Sequence, residues 1–181
     1  MGKLTFILGG SRSGKSSYAL AQVREIGKPV TFIATATAGD DEMSQRIVRH
    51  QSERPPSWQT IEASTEIVIA LDNAATINPV VILDCVTLLV SNLLMTFDDP
   101  KHVSMADFLA VIEGEISGLI EAIRRSDADW YVVSNEVGLG LVPAYKMGRD
   151  YRDGLGWANQ RFAAQADHVI FMVAGLPMVV K

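Results

Sequence analysis

A chain of 181 residues, 48% of them apolar and 20% charged, has the length and interior of one globular domain, which excludes disorder as its default state. With 7% aromatics, 14 Gly, 7 Pro and one Cys it fits no collagen-like, low-complexity or disulfide-stapled class. The formal net charge of −5 argues against a surface that coats nucleic acid, so any phosphate binding has to be local.

Residues 4–8 form a short apolar run that ends in Gly9-Gly10, the pattern of a strand buried on both faces and stopped by a turn needing unusual backbone angles. A helix is predicted over 16–26, with Gly27 as its C-terminal cap and Pro29 preventing continuation. Residues 30–34 read as the second strand. Asp40 is placed to cap a helix over 41–53, with acidic residues in its first turn and Pro55-Pro56 as its stop. A short third strand is predicted over 58–61 and a helix over 65–70.

The longest apolar run covers residues 80–97, but Asp84, Ser91 and Asn92 interrupt it and its first part is β-branched. It reads as a strand over 80–83 and a helix over 86–97, closed by Asp98-Asp99-Pro100, and not as a membrane span. Ser104 and Asp107 have the spacing of a capping box ahead of Phe108, Ile112, Ile116, Leu119 and Ile123 at helical spacing. A strand follows over 130–134, a long helix from Pro143 to about Ala166, and a closing pair of strands over 168–173 and 177–180. There is no internal repeat.

Strands alternating with helices at this spacing predict one α/β domain over residues 1–181: a mostly parallel sheet with helices on both faces and an antiparallel edge at the C-terminus. Ligands of such sheets sit at the carboxyl ends of the strands, where residues 9–16, 35–41, Asp84 and 135–138 fall. The N-terminus carries one Lys and no small-residue cleavage site, and Phe6 stands where a myristoylation signal needs Ser or Thr. With the single Cys, the expectation is a cytoplasmic protein.

Gly9-Gly10-Ser11-Arg12-Ser13-Gly14-Lys15-Ser16 satisfies G-x-x-x-x-G-K-[ST] between a predicted strand and a predicted helix. The backbone N–H groups of such a loop wrap phosphates, Lys15 adds a positive charge and Ser16 offers an oxygen to Mg²⁺. Asp84 closes an aliphatic strand where a P-loop protein keeps the carboxylate of its Mg²⁺ shell, and the same side chain has the position of a helix N-cap. Cys85 reads as a small core side chain. His50 has Arg46 one turn before it and Arg49 and Arg54 nearby. Two readings stand for it: an imidazole nucleophile towards phosphorus, its cations offsetting phosphoryl charge, or a solvated helix face. His102 and His168 have bland readings. Residues 135–140 form a Gly-rich loop over the site, and Arg149, Asp150, Arg152 and Asp153 are either a substrate-facing cluster or an ion-paired helix surface.

The chain resembles, nearly end to end, the bifunctional adenosylcobinamide kinase / adenosylcobinamide-phosphate guanylyltransferase family of cobalamin biosynthesis. The resemblance rests on the P-loop, Ile33-Ala34-Thr35, Asp41-Glu42-Met43, Arg46-Ile47, His50, Arg54-Pro55, Trp58, Asn135-Glu136-Val137-Gly138, Val142-Pro143, Tyr151-Arg152-Asp153 and Asn159-Gln160-Arg161. It implies a RecA-like P-loop core and two reactions: phosphorylation of the aminopropanol hydroxyl of adenosylcobinamide by GTP or ATP, then transfer of GMP from GTP to adenosylcobinamide phosphate. A guanylyl-histidine intermediate would fall on His50, with Lys15 as the second catalytic residue. The nucleotide-contacting positions would be Gly9 to Ser16, Ala34, Thr35, Ala36, Gln51, Ser52, Glu53, Arg54, Glu62 and Asp84, with Ser16 and Asp84 towards Mg²⁺ and Glu62 towards guanine. The resemblance also implies a homotrimer, with small-molecule substrates and neither nucleic acid nor membrane as a partner. A monofunctional P-loop kinase and a non-enzymatic GTP-binding switch are the competing readings. Against the switch, no N-K-x-D guanine element is present, and the one D-x-x-G match, Asp153-Gly154-Leu155-Gly156, falls in a predicted helix.

Overall fold

The computed structural model describes residues 2–39, 41–52 and 54–181, apart from the side chains of Glu42, Met43, Arg46, Arg49 and His50. The expected caps at Asp40 and the helix end at Glu53 lie outside the described residues. The chain runs β1 (Leu4–Gly9), α1 (Lys15–Ile26), β2 (Val30–Ala34), α2 (Asp41–Ser52), β3 (Gln59–Glu62), α3 (Ile67–Asp72) and β4 (Val80–Asp84). It continues with α4 (Val86–Met95), α5 (Met105–Arg125), β5 (Asp129–Val133), α6 (Lys146–Gln165), β6 (His168–Val173) and β7 (Leu176–Val179).

The strands form one sheet in the order β3-β2-β4-β5-β1-β6-β7, parallel throughout except for β7, which runs antiparallel to β6. The α/β class and its antiparallel edge are therefore as the sequence predicts. All five residues of β2 are buried, as are the first four of β4, because helices cover both faces of the sheet. One face packs the larger core beneath α4, α5 and α6, where Phe6 of β1 stacks on Phe162 of α6 with ring centroids 5.5 Å apart. The other face is smaller and packs Ala19, Leu20 and Val23 of α1 against the sheet.

Several local signals act as read. Gly27 closes α1 in the left-handed conformation at φ 68°, with its N–H donating to Arg24 O. The Ser104 hydroxyl caps α5 by accepting from Asp107 N at 3.1 Å and returns a bond to Asp107 Oδ2 at 2.7 Å. Asp153 to Gly156 lie within α6, so the D-x-x-G match is helical.

One boundary needs correction: Pro143 does not start α6. The helix begins at Lys146 after Tyr145 in extended conformation, and residues 143–145 form the end of a loop. The Arg149 guanidinium donates to the carbonyls of Pro143 at 3.1 Å and Ala144 at 2.8 Å, satisfying acceptors that a longer helix would have used itself. Smaller shifts move α3 to Ile67, end α4 at Met95 and begin β7 at Leu176.

Candidate active site

In the sheet order, β2, β4, β5 and β1 are neighbours, so the segments following them meet at one edge. The P-loop follows β1. Gly9 has φ 154°, and a Cβ there would lie 2.6 Å from both Met172 O and Ser13 Oγ, so only glycine fits at the mouth of the loop. Gly14 has φ 93° and passes Gly175 of the β6–β7 turn so closely that a Cβ would lie 3.3 Å from its Cα. Gly175 N donates to Ser13 O at 3.0 Å, which braces the loop from the edge hairpin. Arg12 holds the left-handed conformation at φ 56°, a backbone choice that keeps the loop wrapped.

Lys15 is buried at 7% exposure, with its ammonium donating to Gly10 O at 2.6 Å and lying 3.4 Å from Ser13 Oγ. Burial lowers its pKa, and the nearby Cys85 and Asp84 oppose that shift. A cation kept this dry lacks the solvent that would compete with an incoming phosphate. Asp84 ends β4 half-buried within electrostatic reach of Lys15 and Arg54. Its neighbour Cys85 has its thiol pushed up to about 12, chiefly by burial and then by the Asp84 charge. The sequence predicts a core cysteine; the residue is half-buried and packs at the margin of the smaller core.

Thr35, after β2, is fully buried and pins the next segment. Its hydroxyl donates to Cys85 O and accepts from Cys85 N, both at 2.8 Å. Asn92 of α4 then donates to Thr35 O at 2.8 Å and Ser64 O at 2.9 Å.

The far side of the site is built from residues 51–62. Gln51 donates to Glu62 Oε1 at 3.2 Å. The Arg54 guanidinium lies 3.7 Å over the Phe32 ring, where burial lowers its pKa against the pull of Asp84 and Glu62. Its Nε is buried and has no hydrogen-bond partner among the described residues. The backbone of His50 lies in α2 one residue before Gln51, while its side chain, like Glu53, lies outside the described residues. The structure thus gathers Lys15, Asp84, Arg54 and Glu62 into one electrostatic neighbourhood, with Ala34 buried and Ala36 half-buried beside Thr35. Ser11 and Arg12 are exposed at the tip of the P-loop, and Ser16 is half-buried at the start of α1.

The loop after β5, expected over the site, is held there by partners on α4 and α6 that the sequence did not assign to it. Glu136 N donates to Gly9 O at 3.0 Å, tying the loop after β5 to the mouth of the P-loop. Asn135 is held at both ends: its N–H donates to Thr87 Oγ1 at 2.7 Å, and its carbonyl accepts from Asn159 Nδ2 at 3.0 Å. Asn159 Oδ1 accepts from the Ser134 hydroxyl at 2.6 Å, and the Tyr151 hydroxyl donates to Thr87 O at 3.2 Å. Burial raises the Tyr151 pKa, so the phenol stays a donor. A sequence signal existed for Asn159, a polar residue in the buried stripe with Leu155, Ala158 and Phe162. Of the acidic and basic residues of α6, Lys146 pairs with Asp150 and Arg152 lies 3.5 Å from Asp153, the ion-paired alternative, although Arg152 and Asp153 also line an open groove.

A carboxylate at a strand end and a hydroxyl at the P-loop form a donor set suited to Mg²⁺, which takes one or two protein oxygens and fills its shell with phosphate and water. Among the described residues no group of three or more His, Cys, Asp or Glu forms an all-protein metal cage. Among them too, no helix is long and apolar enough to cross a membrane.

Residues 5–180 match the family described as cobinamide kinase / cobinamide phosphate guanyltransferase. The chain is 41% identical over 175 residues to the bifunctional adenosylcobalamin biosynthesis protein CobP of Pseudomonas aeruginosa, covering 97% of this chain and 95% of that one. It is 38% identical to the bifunctional adenosylcobalamin biosynthesis protein CobU of Escherichia coli and 36% identical to that of Salmonella typhimurium, each match covering 98% of this chain and 99% of the relative. Among solved structures, the P4 protein of bacteriophage phi6 in complex with ADP (TM-score 0.45, 16% identity, 97% of this chain and 54% of that one) is too distant to bear on function. The same holds for the RadB recombinase (TM-score 0.47, 13% identity, 93% and 73%).

Proposed function

Because this chain belongs to the cobinamide kinase / cobinamide phosphate guanyltransferase family, an enzyme family of cobalamin biosynthesis, we propose that it performs both reactions in one site region. In the first, the aminopropanol hydroxyl of adenosylcobinamide attacks the γ-phosphorus of GTP or ATP. The new O–P bond forms as the bond to the β-phosphate oxygen breaks, the nucleoside diphosphate leaves and the hydroxyl proton is released. In the second, a ring nitrogen of His50 attacks the α-phosphorus of GTP and pyrophosphate leaves. A phosphate oxygen of adenosylcobinamide phosphate then attacks the same phosphorus, the N–P bond breaks, and His50 is restored as adenosylcobinamide-GDP forms.

The observation that carries this reading is the meeting of a braced P-loop with Asp84, Arg54 and Glu62 at one sheet edge. The P-loop amides of residues 9–16 and the Lys15 ammonium hold the phosphates and offset their charge in the transition state. Ser16 and Asp84 would hold Mg²⁺, which neutralises the polyphosphate when bound. Arg54, with a buried unpartnered Nε, offers a fixed cation to the transferring phosphoryl group, and Gln51 orients Glu62 to accept guanine N–H donors. Ala34, Thr35 and Ala36 supply backbone along the nucleotide, and Ser52 and Glu53 complete the contact segment with Arg54.

A homotrimer and a cytoplasmic location belong to the same proposal, with all of residues 1–181 acting as one domain. The edge strand supports assembly, since Leu176, Met178 and Val179 of β7 are all exposed apolar side chains. Sedimentation equilibrium returning three times the chain mass is the expected result.

The chemical test uses α-labelled GTP with Mg²⁺ and no acceptor, comparing the wild-type chain with His50→Ala. Label retained by the wild type alone, lost in acid and kept in base, is the expected result, followed by its transfer to adenosylcobinamide phosphate. Phosphorylation of adenosylcobinamide without any retained label would leave a monofunctional kinase in place of the double activity.

A further inference from the structure

An open groove of about 540 Å³ lies between α5 and α6, with Gly138 of the loop after β5 on its lip. Met105 and Leu109 of α5 and Trp157 of α6 give it apolar walls, and Arg152, Asp153 and Gln160 of α6 give it polar ones. We propose that this groove holds part of the cobinamide macrocycle while its aminopropanol arm reaches the P-loop; the assignment rests on the function proposed above.

The first support is the glycine pattern of α6. A glycine inside a helix costs about 1 kcal/mol relative to alanine, so each needs a reason. Gly154 has one: a Cβ there would lie 2.7 Å from Ile112 Cδ1 and 2.9 Å from Phe108 Cε1, so glycine lets α5 and α6 approach. Gly156 has none of that kind, because apart from its chain neighbours and the backbone of its own helix no described atom lies within 4 Å of where its Cβ would be. What its missing side chain does is leave the wall of the groove open.

The second support is chemical complementarity. Cobinamide presents apolar, methyl-bearing faces and a rim of primary carboxamides, each needing both donors and acceptors. Arg152 brings donors only, Asp153 acceptors only and Gln160 both, beside a tryptophan and two aliphatic side chains suited to the ring. The lip continues into Leu139 and Leu141, which are 81% and 97% exposed, an apolar surface that an amphipathic ligand larger than the groove would cover.

The third support is the path to the chemistry. Two residues before Gly138, Glu136 N is bonded to Gly9 O at the mouth of the P-loop. The Glu136 side chain accepts from Gly138 N, so the groove lip and the phosphate loop are linked through Glu136 by hydrogen bonds.

Equilibrium dialysis of cobinamide, read by its visible absorbance, tests the assignment on the wild-type chain, Gly156→Leu and Gln160→Ala, with GTP binding measured in parallel. Gly156→Leu fills the groove without meeting a described neighbour at its Cβ and should weaken cobinamide binding by about tenfold or more, with GTP binding unchanged. Gln160→Ala should weaken it by a smaller factor, again with GTP binding unchanged. Wild-type cobinamide affinity in both variants overturns the groove and leaves the proposed function standing. A wild-type chain that neither binds nor phosphorylates cobinamide overturns both. Should Gly156→Leu also lose GTP binding, Gln160→Ala decides by the same criterion.

Discussion

The P-loop and the loop after β5 meet at Gly9, yet they are shaped by different means. In the P-loop the conformation is written into adjacent residues: glycines at positive φ at both ends and a lysine folded back on Gly10 O. In the loop after β5 the conformation is imposed from afar, by Thr87 at a separation of 48 residues and Asn159 at 24. Among the described residues, the P-loop adds to its own backbone choices only a brace from Gly175 N to Ser13 O and a tie from Glu136 N to Gly9 O. A loop held by distant side chains keeps its shape only while the whole fold stands, which suits a wall that must be placed relative to several elements at once.

Three substitutions separate the two. Lys15→Met should lower the rate of NTP-dependent cobinamide phosphorylation by about 10²–10³-fold, the scale of losing one preorganised charge at a transition state. Its thermal midpoint should not fall, because the substitution removes a desolvated ammonium. Gly9→Ala forces a Cβ to within 2.6 Å of Met172 O and should cost about 2–3 kcal/mol in urea unfolding. Asn159→Leu leaves the Ser134 hydroxyl and Asn135 carbonyl without their partner and should cost about 1–2 kcal/mol. Its kinetic mark is a larger loss in kcat/KM for cobinamide than for GTP, which a purely structural role would not produce.

The smallest effect is at Cys85, whose thiol is raised from 9.0 to about 12 in the folded chain. Between those values the unfolded state sheds a proton that the folded state keeps, so stability falls as pH rises through that window and is unaffected below it. Cys85→Ala should flatten this alkaline fall, as urea midpoints at pH 8 and pH 10 would show.

How much of this was legible in the sequence follows the same division. The strands β1, β2 and β4, the cap at Ser104 and the glycine stop at Gly27 were readable because each depends on residues within a few positions of itself. The start of α6 was misread because Pro143 favours a first helical turn locally, while Arg149 draws the preceding carbonyls out of it. In the candidate site the phosphate loop and Asp84 were legible from motif and strand end. The clamp on Asn135 was not, because Thr87, Tyr151 and Asn159 come together only through the sheet order and the packing of α4 against α6. The bracing of Ser13 by Gly175 was equally out of reach, as it joins the two ends of the chain across one strand.

That hairpin turn has a practical consequence. Ala174 is exposed, already holds a positive φ of 50°, and adjoins the glycine that touches the P-loop. The chain's one native thiol is suppressed by burial and an adjacent carboxylate. A cysteine introduced at position 174 would therefore take a fluorophore selectively, with no need to remove Cys85, and would place an optical reporter beside the phosphate loop. Nucleotide arrival at the phosphate loop would become visible in a stopped-flow trace.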